Sequence, residues 1–345
     1  MKAIQLKDMT LRYDQRKTDG VTQVSFDVYK GEVFSLLGQS GSGKSTTLKC
    51  IAGLLMPASG SLEVQKDEKI IYMDQTPKFS LNKTVYENLE DEIINSESHA
   101  EKRANMIRTL LSQLGLTNEI DSLASSLSGG QLQRMIMAKA LIQGPSILLL
   151  DEPFANLDNI LRRELIEELF ILFKEKDMTV MWVTHDLDEA LAYSHRIALL
   201  NYGQLQQIDS PQEIYLRPKN LFTAQFFSQV NLITAKVTKR NDSFIFLEVF
   251  EKELRFPLNQ IRNIDKIKTE VLLVIHPEHI FLSEDKNESF QGSLTRELFH
   301  GAFTLIEFKC NNHFLWAKVL SWKKPNKKSF YFNLDSQFIH LIEEV

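Results

Sequence analysis

Cysteine is nearly absent from this chain: Cys50 and Cys310 are the only two in 345 residues. Two thiols so far apart in sequence do not make a disulfide scaffold, and such composition suits a reducing cytosol. Neither is expected to hold a metal. There is also no uninterrupted apolar run of the ~18 residues needed to cross a bilayer, and the opening M-K-A-I-Q-L-K-D carries no apolar signal segment. Any membrane role is expected to run through another chain. Positive charge is not in excess either, since 40 Lys and Arg face 45 Asp and Glu, a formal net charge of -5. That balance argues against nucleic acid as a partner, because its binders present a basic footprint. What the chain does have is 43% apolar content over a length sufficient for two cores.

Residues 38–46 read G-Q-S-G-S-G-K-S-T, a phosphate-binding loop placed between an expected strand at 32–37 and a helical pattern at 47–54. Gly38, Gly41 and Gly43 let the backbone curl until its N–H groups, including those of Gln39, Ser40 and Ser42, converge on phosphate oxygens; side chains at the glycines would obstruct this. The helix that follows points its positive end at the same anion. Lys44 reaches the β and γ phosphates of a nucleoside triphosphate, Ser45 offers a hydroxyl to Mg²⁺, and Thr46 adds a helix-start donor. At 147–153 the run I-L-L-L-D-E-P predicts a strand buried on both faces and ending in two acids. Asp151 is then the metal-side acid. Glu152 is the candidate for orienting or deprotonating the attacking water.

Residues 127–131, L-S-G-G-Q, place a serine and two glycines at the start of a helix expected over 132–142, a second anion cradle that is also an ordinary N-cap. With this run the chain resembles the ATP-binding cassette family. The resemblance implies that Ser128, Gly129, Gly130 and Gln131 close on the ATP of a partner subunit. It matches further residues in order: Tyr13, in L-R-Y-D, to an aromatic that stacks on adenine; Gln75, in I-I-Y-M-D-Q, to a sensor of γ-phosphate and Mg²⁺; Asp158, in A-N-L-D, to the loop crossing the dimer interface; and His185, in V-M-W-V-T-H-D, to the histidine that contacts the γ-phosphate. Three departures are visible. Ala155 stands where serine is usual, Asp74 replaces the common phenylalanine before Gln75, and residues 60–75 form a shorter stretch than usual.

The expected fold is α/β, a cassette of mixed, largely parallel sheet over residues 1–231, with a helical subdomain at about 82–140. Within it Ile107, Leu110, Leu111 and Leu114 recur at helical spacing, and the charged stretch 97–103 reads as a solvated face. Residues 210–231 resemble the linker helix that ends import-type cassettes. Beyond them short strands at 244–250, 271–275, 303–308 and 314–319 predict a small all-β barrel or sandwich over 232–345. The H-P-E-H-I run at 276–280 and the segment 292–301 resemble the oligonucleotide-binding-like C-terminal domain of importer ATPases, a regulatory module. Trp316, Trp322 and Phe330 are expected in its core.

The resemblance therefore implies an importer ATPase that uses ATP and Mg²⁺ at the cytoplasmic face of the membrane. It would work as a homodimer or with a similar ATPase chain, beneath two permease subunits fed by a solute-binding protein, and its cargo would be ferric iron or a polyamine. An alternative is a soluble cassette acting on ribosomes or DNA, but the single phosphate loop and the lack of a long heptad run speak against it.

Overall fold

The computed structural model describes residues 1–12, 20–74, 78–155, 157–258, 269–286, 289–325, 327–336 and 339–342. Their contacts divide the chain into two compact units, Met1–Pro211 and Gln212–Val345.

The first unit begins with β1 (Lys2–Arg12), β2 (Gly20–Tyr29), β3 (Val33–Gly38), α1 (Lys44–Ile51), β4 (Ser59–Val64) and β5 (Ile70–Met73). Helices α2 (Val85–Ile93), α3 (Ala100–Gln113) and α4 (Gly129–Ile142) follow, then β6 (Ile147–Asp151), α5 (Asn159–Glu175), β7 (Thr179–Val183), α6 (Leu187–Tyr193), β8 (Arg196–Asn201) and β9 (Gln204–Asp209). β1 pairs antiparallel with β2 and β4. The six-stranded sheet has the order β5-β6-β7-β3-β8-β9, parallel except for β9. Every residue of β3, β6 and β7 is buried, the signature of parallel strands covered on both faces. Alternate residues serve two cores. Phe34, Leu36, Leu149 and Met181 pack with β1, β2 and α1, whereas Leu148, Leu150, Val180 and Trp182 pack with the helices α2 to α5.

Helices α2 to α4 make up the helical part of this unit, in which Ile107, Leu110, Leu111 and Leu114 are all buried. Its entry is fixed by a capping box between Thr84 and Glu87 and by the buried Asn88, whose amide donates to the carbonyls of Ser80, Lys83 and Thr84. A cap of this kind contributes about 1 kcal/mol. The charged stretch 97–103 is more than a solvated face: Arg103 donates to Glu90 Oε1 at 3.1 Å and to the carbonyls of Glu97 and Ser98, tying the start of α3 to α2.

The second unit takes in most of α7 (Pro211–Leu216), then α8 (Leu221–Phe227), β10 (Asn231–Arg240), β11 (Phe244–Val249), β12 (Lys252–Pro257) and β13 (Glu270–Ile275). After these come β14 (Ile280–Ser283), β15 (Phe290–His300), β16 (Phe303–Cys310), β17 (His313–Leu320), β18 (Ser329–Leu334) and β19 (Ile339–Ile342). They form two five-stranded antiparallel sheets, β12-β11-β10-β13-β19 and β14-β18-β15-β16-β17, whose inward residues, among them Ile245, Leu273, Phe308 and Phe332, share one core.

The division between units falls before the expected boundary at 231, because the linker helices pack on the second unit. The Tyr215 ring stacks on His276 at 4.2 Å between centroids, and Ser228 Oγ lies 2.7 Å from His276 Nδ1. Phe330 is in the core as expected and Trp316 is half-buried, but Trp322 is 74% exposed. It follows the end of β17 in a short helical turn, outside the inward alternation.

Candidate functional site

The chemistry-bearing loops meet because their strands are neighbours. β6, β7 and β3 lie side by side and parallel, with Asp151 opposite Val183 and Val183 opposite Leu36. Their C-terminal ends therefore emerge on one edge, where α/β sheets bind ligands. The phosphate loop follows β3, Glu152 follows β6 and His185 follows β7.

Gly38, Gly41 and Gly43 have φ of 152°, 77° and 97°, in the region that favours glycine. Obstruction operates at two of the three. A Cβ at Gly38 would sit 2.4 Å from the Leu200 carbonyl oxygen, and one at Gly43 would sit 2.6 Å from that of Gly20, whereas one at Gly41 meets nothing within 4 Å among the described residues. Helix α1 starts at Lys44, earlier than expected, with Gly43 at its N-cap and no side-chain cap. Lys44 is buried, and its Nζ donates to the carbonyls of Gly38 at 2.9 Å and Gln39 at 3.0 Å. Burial pulls its pKa down, while Glu152 and Asp151 oppose that shift. Two of three ammonium donors are used by the loop itself. Ser42 Oγ is buried without a hydrogen-bond partner among the described residues.

Asp151 is 1% exposed. Its Oδ1 accepts from Ser45 Oγ at 2.9 Å and its Oδ2 from the Tyr72 hydroxyl at 3.1 Å. Burial raises its pKa, and these two donors pull it back. A carboxylate beside a hydroxyl is a hard oxygen pair of the kind Mg²⁺ takes alongside substrate phosphates. Glu152 has φ of 52°, a left-handed conformation that costs about 1 to 3 kcal/mol in a non-glycine residue. Its N–H donates to the Val183 carbonyl at 3.1 Å, and its Oε1 contacts Nε2 of His185. Gly20, residues 40–46, Glu152 and His185 line one cavity of about 380 Å³. None of Ser128, Gly129, Gly130, Gln131 or Asp158 lines it.

Ser128 caps α4 in a capping box with Gln131, and Gln131 Nε2 donates to Glu119 at 2.9 Å. Two residues further along α4, Gln133 donates to the Pro153 carbonyl beside Glu152. Asp158 caps α5, accepting from the N–H groups of Ile160 and Leu161. Motif matching did not find the network that holds the His185 loop. Thr184 Oγ1 donates to Glu189 at 2.8 Å and accepts from Asp186 N at 3.0 Å, and Arg162 of α5 contacts both Asp186 and Glu189. Tyr72 was missed as well, because it read only as a strand residue.

Tyr13 and Gln75 lie outside the described residues. Asp74, next to Gln75, lines a groove of about 280 Å³ with Ile71, Met73, Glu92, Ile136 and Lys139, between β5 and helices α2 and α4. Lys139 pairs with Glu92 across it at 3.1 Å. Ala155 is exposed. Among the described residues no helix is long and apolar enough to cross a membrane, and Cys50 and Cys310 are free and buried.

Comparison with known proteins agrees with this geometry. A family described as ABC transporter matches residues 21–155. The spermidine/putrescine import ATP-binding protein PotA of Nitrosospira multiformis is 33% identical, over 96% of this chain and 94% of the relative. The Fe(3+) ions import ATP-binding protein FbpC 2 of Haemophilus influenzae is 29% identical, over 86% of this chain and 85% of its own. Among solved structures, cbiO1 from Clostridium perfringens, part of the ABC transporter complex cbiONQ, superposes with a TM-score of 0.57 at 24% identity, covering 62% of this chain and 90% of that one.

Proposed function

The chain belongs to the ABC transporter family as an importer ATPase, and from that premise we propose how its residues divide the work of hydrolysis and coupling. The observation that carries the proposal is the meeting of the phosphate loop, Asp151, Glu152 and His185 at one sheet edge. The loop amides and Lys44 bind the phosphates. Ser45 and Asp151 hold Mg²⁺, which when bound neutralises charge on the β and γ phosphates. Glu152 orients the attacking water and takes its proton, and His185, in contact with Glu152, places that carboxylate beside the γ-phosphate. Phosphoryl transfer needs a positioned nucleophile more than covalent help, so this set suffices on the chain's own side. Tyr13 supplies the adenine stack and Gln75 senses the metal.

The second half of each site comes from another ATPase subunit, identical or similar, whose Ser128, Gly129, Gly130, Gln131 and Asp158 face the nucleotide held here. Two ATPs then favour the closed dimer by their differential affinity for it, and hydrolysis removes that preference. Closure reaches the two permeases through the groove beside Asp74, between β5 and the helical subdomain. The ATPase is peripheral, on the cytoplasmic face, and a solute-binding protein delivers the cargo. We place that cargo among polyamines and ferric iron, the two named for the relatives. Residues 232–345 carry no nucleotide motif and steady or regulate the dimer.

The assignment across the dimer is tested by Ser128→Arg. It is expected to abolish hydrolysis yet leave ATP affinity of the monomer within about twofold, because a bulky cation blocks only the partner's nucleotide. Lys44→Ala is expected to lose ATP affinity itself. Equal losses of monomer affinity in the two variants would reject the division.

A further inference from the structure

Asp151 presents two oxygens, and each is held by a donor from a different element. Ser45 of α1 gives its hydroxyl to Oδ1 at 2.9 Å, and Tyr72 of β5 gives its hydroxyl to Oδ2 at 3.1 Å. Rotation of the carboxylate would break both bonds. β5 is the strand next to β6, with Tyr72 opposite Leu149, so the phenol reaches Asp151 from the flank opposite β7. The phenol O–H is the donor of this bond, and the carboxylate oxygen accepts. The same hydroxyl interacts with the Asp74 carboxylate, one residue before Gln75. A phenol has a single proton, and two carboxylates compete for it.

We infer that Tyr72 is a positioning residue for the metal: its hydroxyl keeps the Asp151 carboxylate turned toward Ser45, and so sets how tightly the site takes Mg²⁺ with its nucleotide. The inference rests on the reading of Asp151 as the metal-side acid. Without the phenol, Oδ2 loses its donor and the carboxylate is held at Oδ1 alone, free to rotate away from the orientation it shares with Ser45. Asp74 competes for the same proton, one residue before Gln75, while the bond to Asp151 is the one that holds the carboxylate for the metal. Tyr72 thereby joins the metal site to the segment entering Gln75.

The test uses the full chain and a fluorescent ATP analogue, titrated with MgCl₂ and measured separately in excess EDTA. Tyr72→Phe keeps the ring and removes only the hydroxyl. It is expected to raise the half-saturating Mg²⁺ concentration about fivefold or more, as for the loss of one hydrogen bond to a charged group, with metal-free affinity within about twofold of wild type. Asp74→Asn, which leaves the hydroxyl to Asp151, is expected to keep the wild-type half-saturation. An unchanged Mg²⁺ dependence in Tyr72→Phe overturns the inference, as does an equal loss of metal-free affinity. A rise in Asp74→Asn as large as in Tyr72→Phe overturns it too. Asp151→Ala separates the two levels of the argument. If it loses Mg²⁺ dependence while Tyr72→Phe keeps the wild-type half-saturation, only the role of Tyr72 fails, and if it retains Mg²⁺ dependence, the metal-side reading of Asp151 itself fails.

Discussion

Glu152 and His185 touch through Oε1 and Nε2 although they leave different strands, β6 and β7. The contact exists because these strands are adjacent and parallel, and because Glu152 adopts a left-handed turn directly after Asp151. The turn separates the directions of two consecutive acids, sending one to Ser45 and the other to His185.

Glu152→Gln preserves the shape of this arrangement and removes the charge that orients and deprotonates water. Turnover is expected to fall about a hundredfold or more, with ATP still bound and an ATP-dependent dimer detectable by light scattering. Turnover within a few-fold of wild type, with no such dimer, would remove Glu152 from its role.

The phosphate-loop glycines are expected to differ in their tolerance of alanine. In Gly43→Ala the new methyl meets Val21 and the Gly20 carbonyl, so the loop must move, and nucleotide affinity should fall at least tenfold, as for a loss of about 1.4 kcal/mol. In Gly41→Ala nothing among the described residues lies within 4 Å, leaving only the positive φ, a cost of about 1 to 2 kcal/mol to folding. Equilibrium binding should therefore be weakened far more by Gly43→Ala than by Gly41→Ala, and equal losses in the two variants would reject the difference in space.

His276 links the linker helices to the β-unit and makes that unit pH-sensitive. Its Nε2 lies 3.0 Å from the Tyr215 carbonyl, which only accepts, so Nε2 carries a proton, and in the neutral ring Nδ1 accepts from the Ser228 hydroxyl at 2.7 Å. Burial holds its pKa below the usual histidine value, against the pull of Glu278 and the Tyr215 carbonyl, with His279 adding to the depression. As pH falls, the unfolded chain takes up the proton first, so stability present above about pH 6.5 is lost as pH drops below it. Glu278, whose pKa is lowered mainly through Tyr215 against its own burial, acts only in the more acid carboxylate range. Thermal melts between about pH 7.5 and 5.5 should show a smaller decline in His276→Asn than in wild type. Equal declines would assign the effect elsewhere.

Much of this site was legible in the chain because its parts are local. A glycine-rich loop between strand and helix, or four apolar residues ending in two acids, carries its geometry within a few positions. Tyr72 was not legible: its partner is 79 residues away, and nothing in I-I-Y-M-D-Q says which side of β5 faces β6. The Arg162, Asp186 and Glu189 network that braces His185 was hidden for the same reason. Ser128 was legible as an N-cap, and the structure shows that capping box. The linker segment reads as one helix and folds as two, α7 and α8, and the unit they pack against depends on His276, which sequence periodicity does not reach.

Cys50 and Cys310 sit inside separate cores, and burial pushes both thiols up to about 11. At neutral pH only about one thiol in ten thousand is then the reactive thiolate. The natural chain is thus a blank background for maleimide chemistry. A single cysteine introduced at exposed Ala155 would take a spin label or fluorophore without prior removal of native thiols, so that opening and closing of the ATPase pair could be followed as a distance in real time.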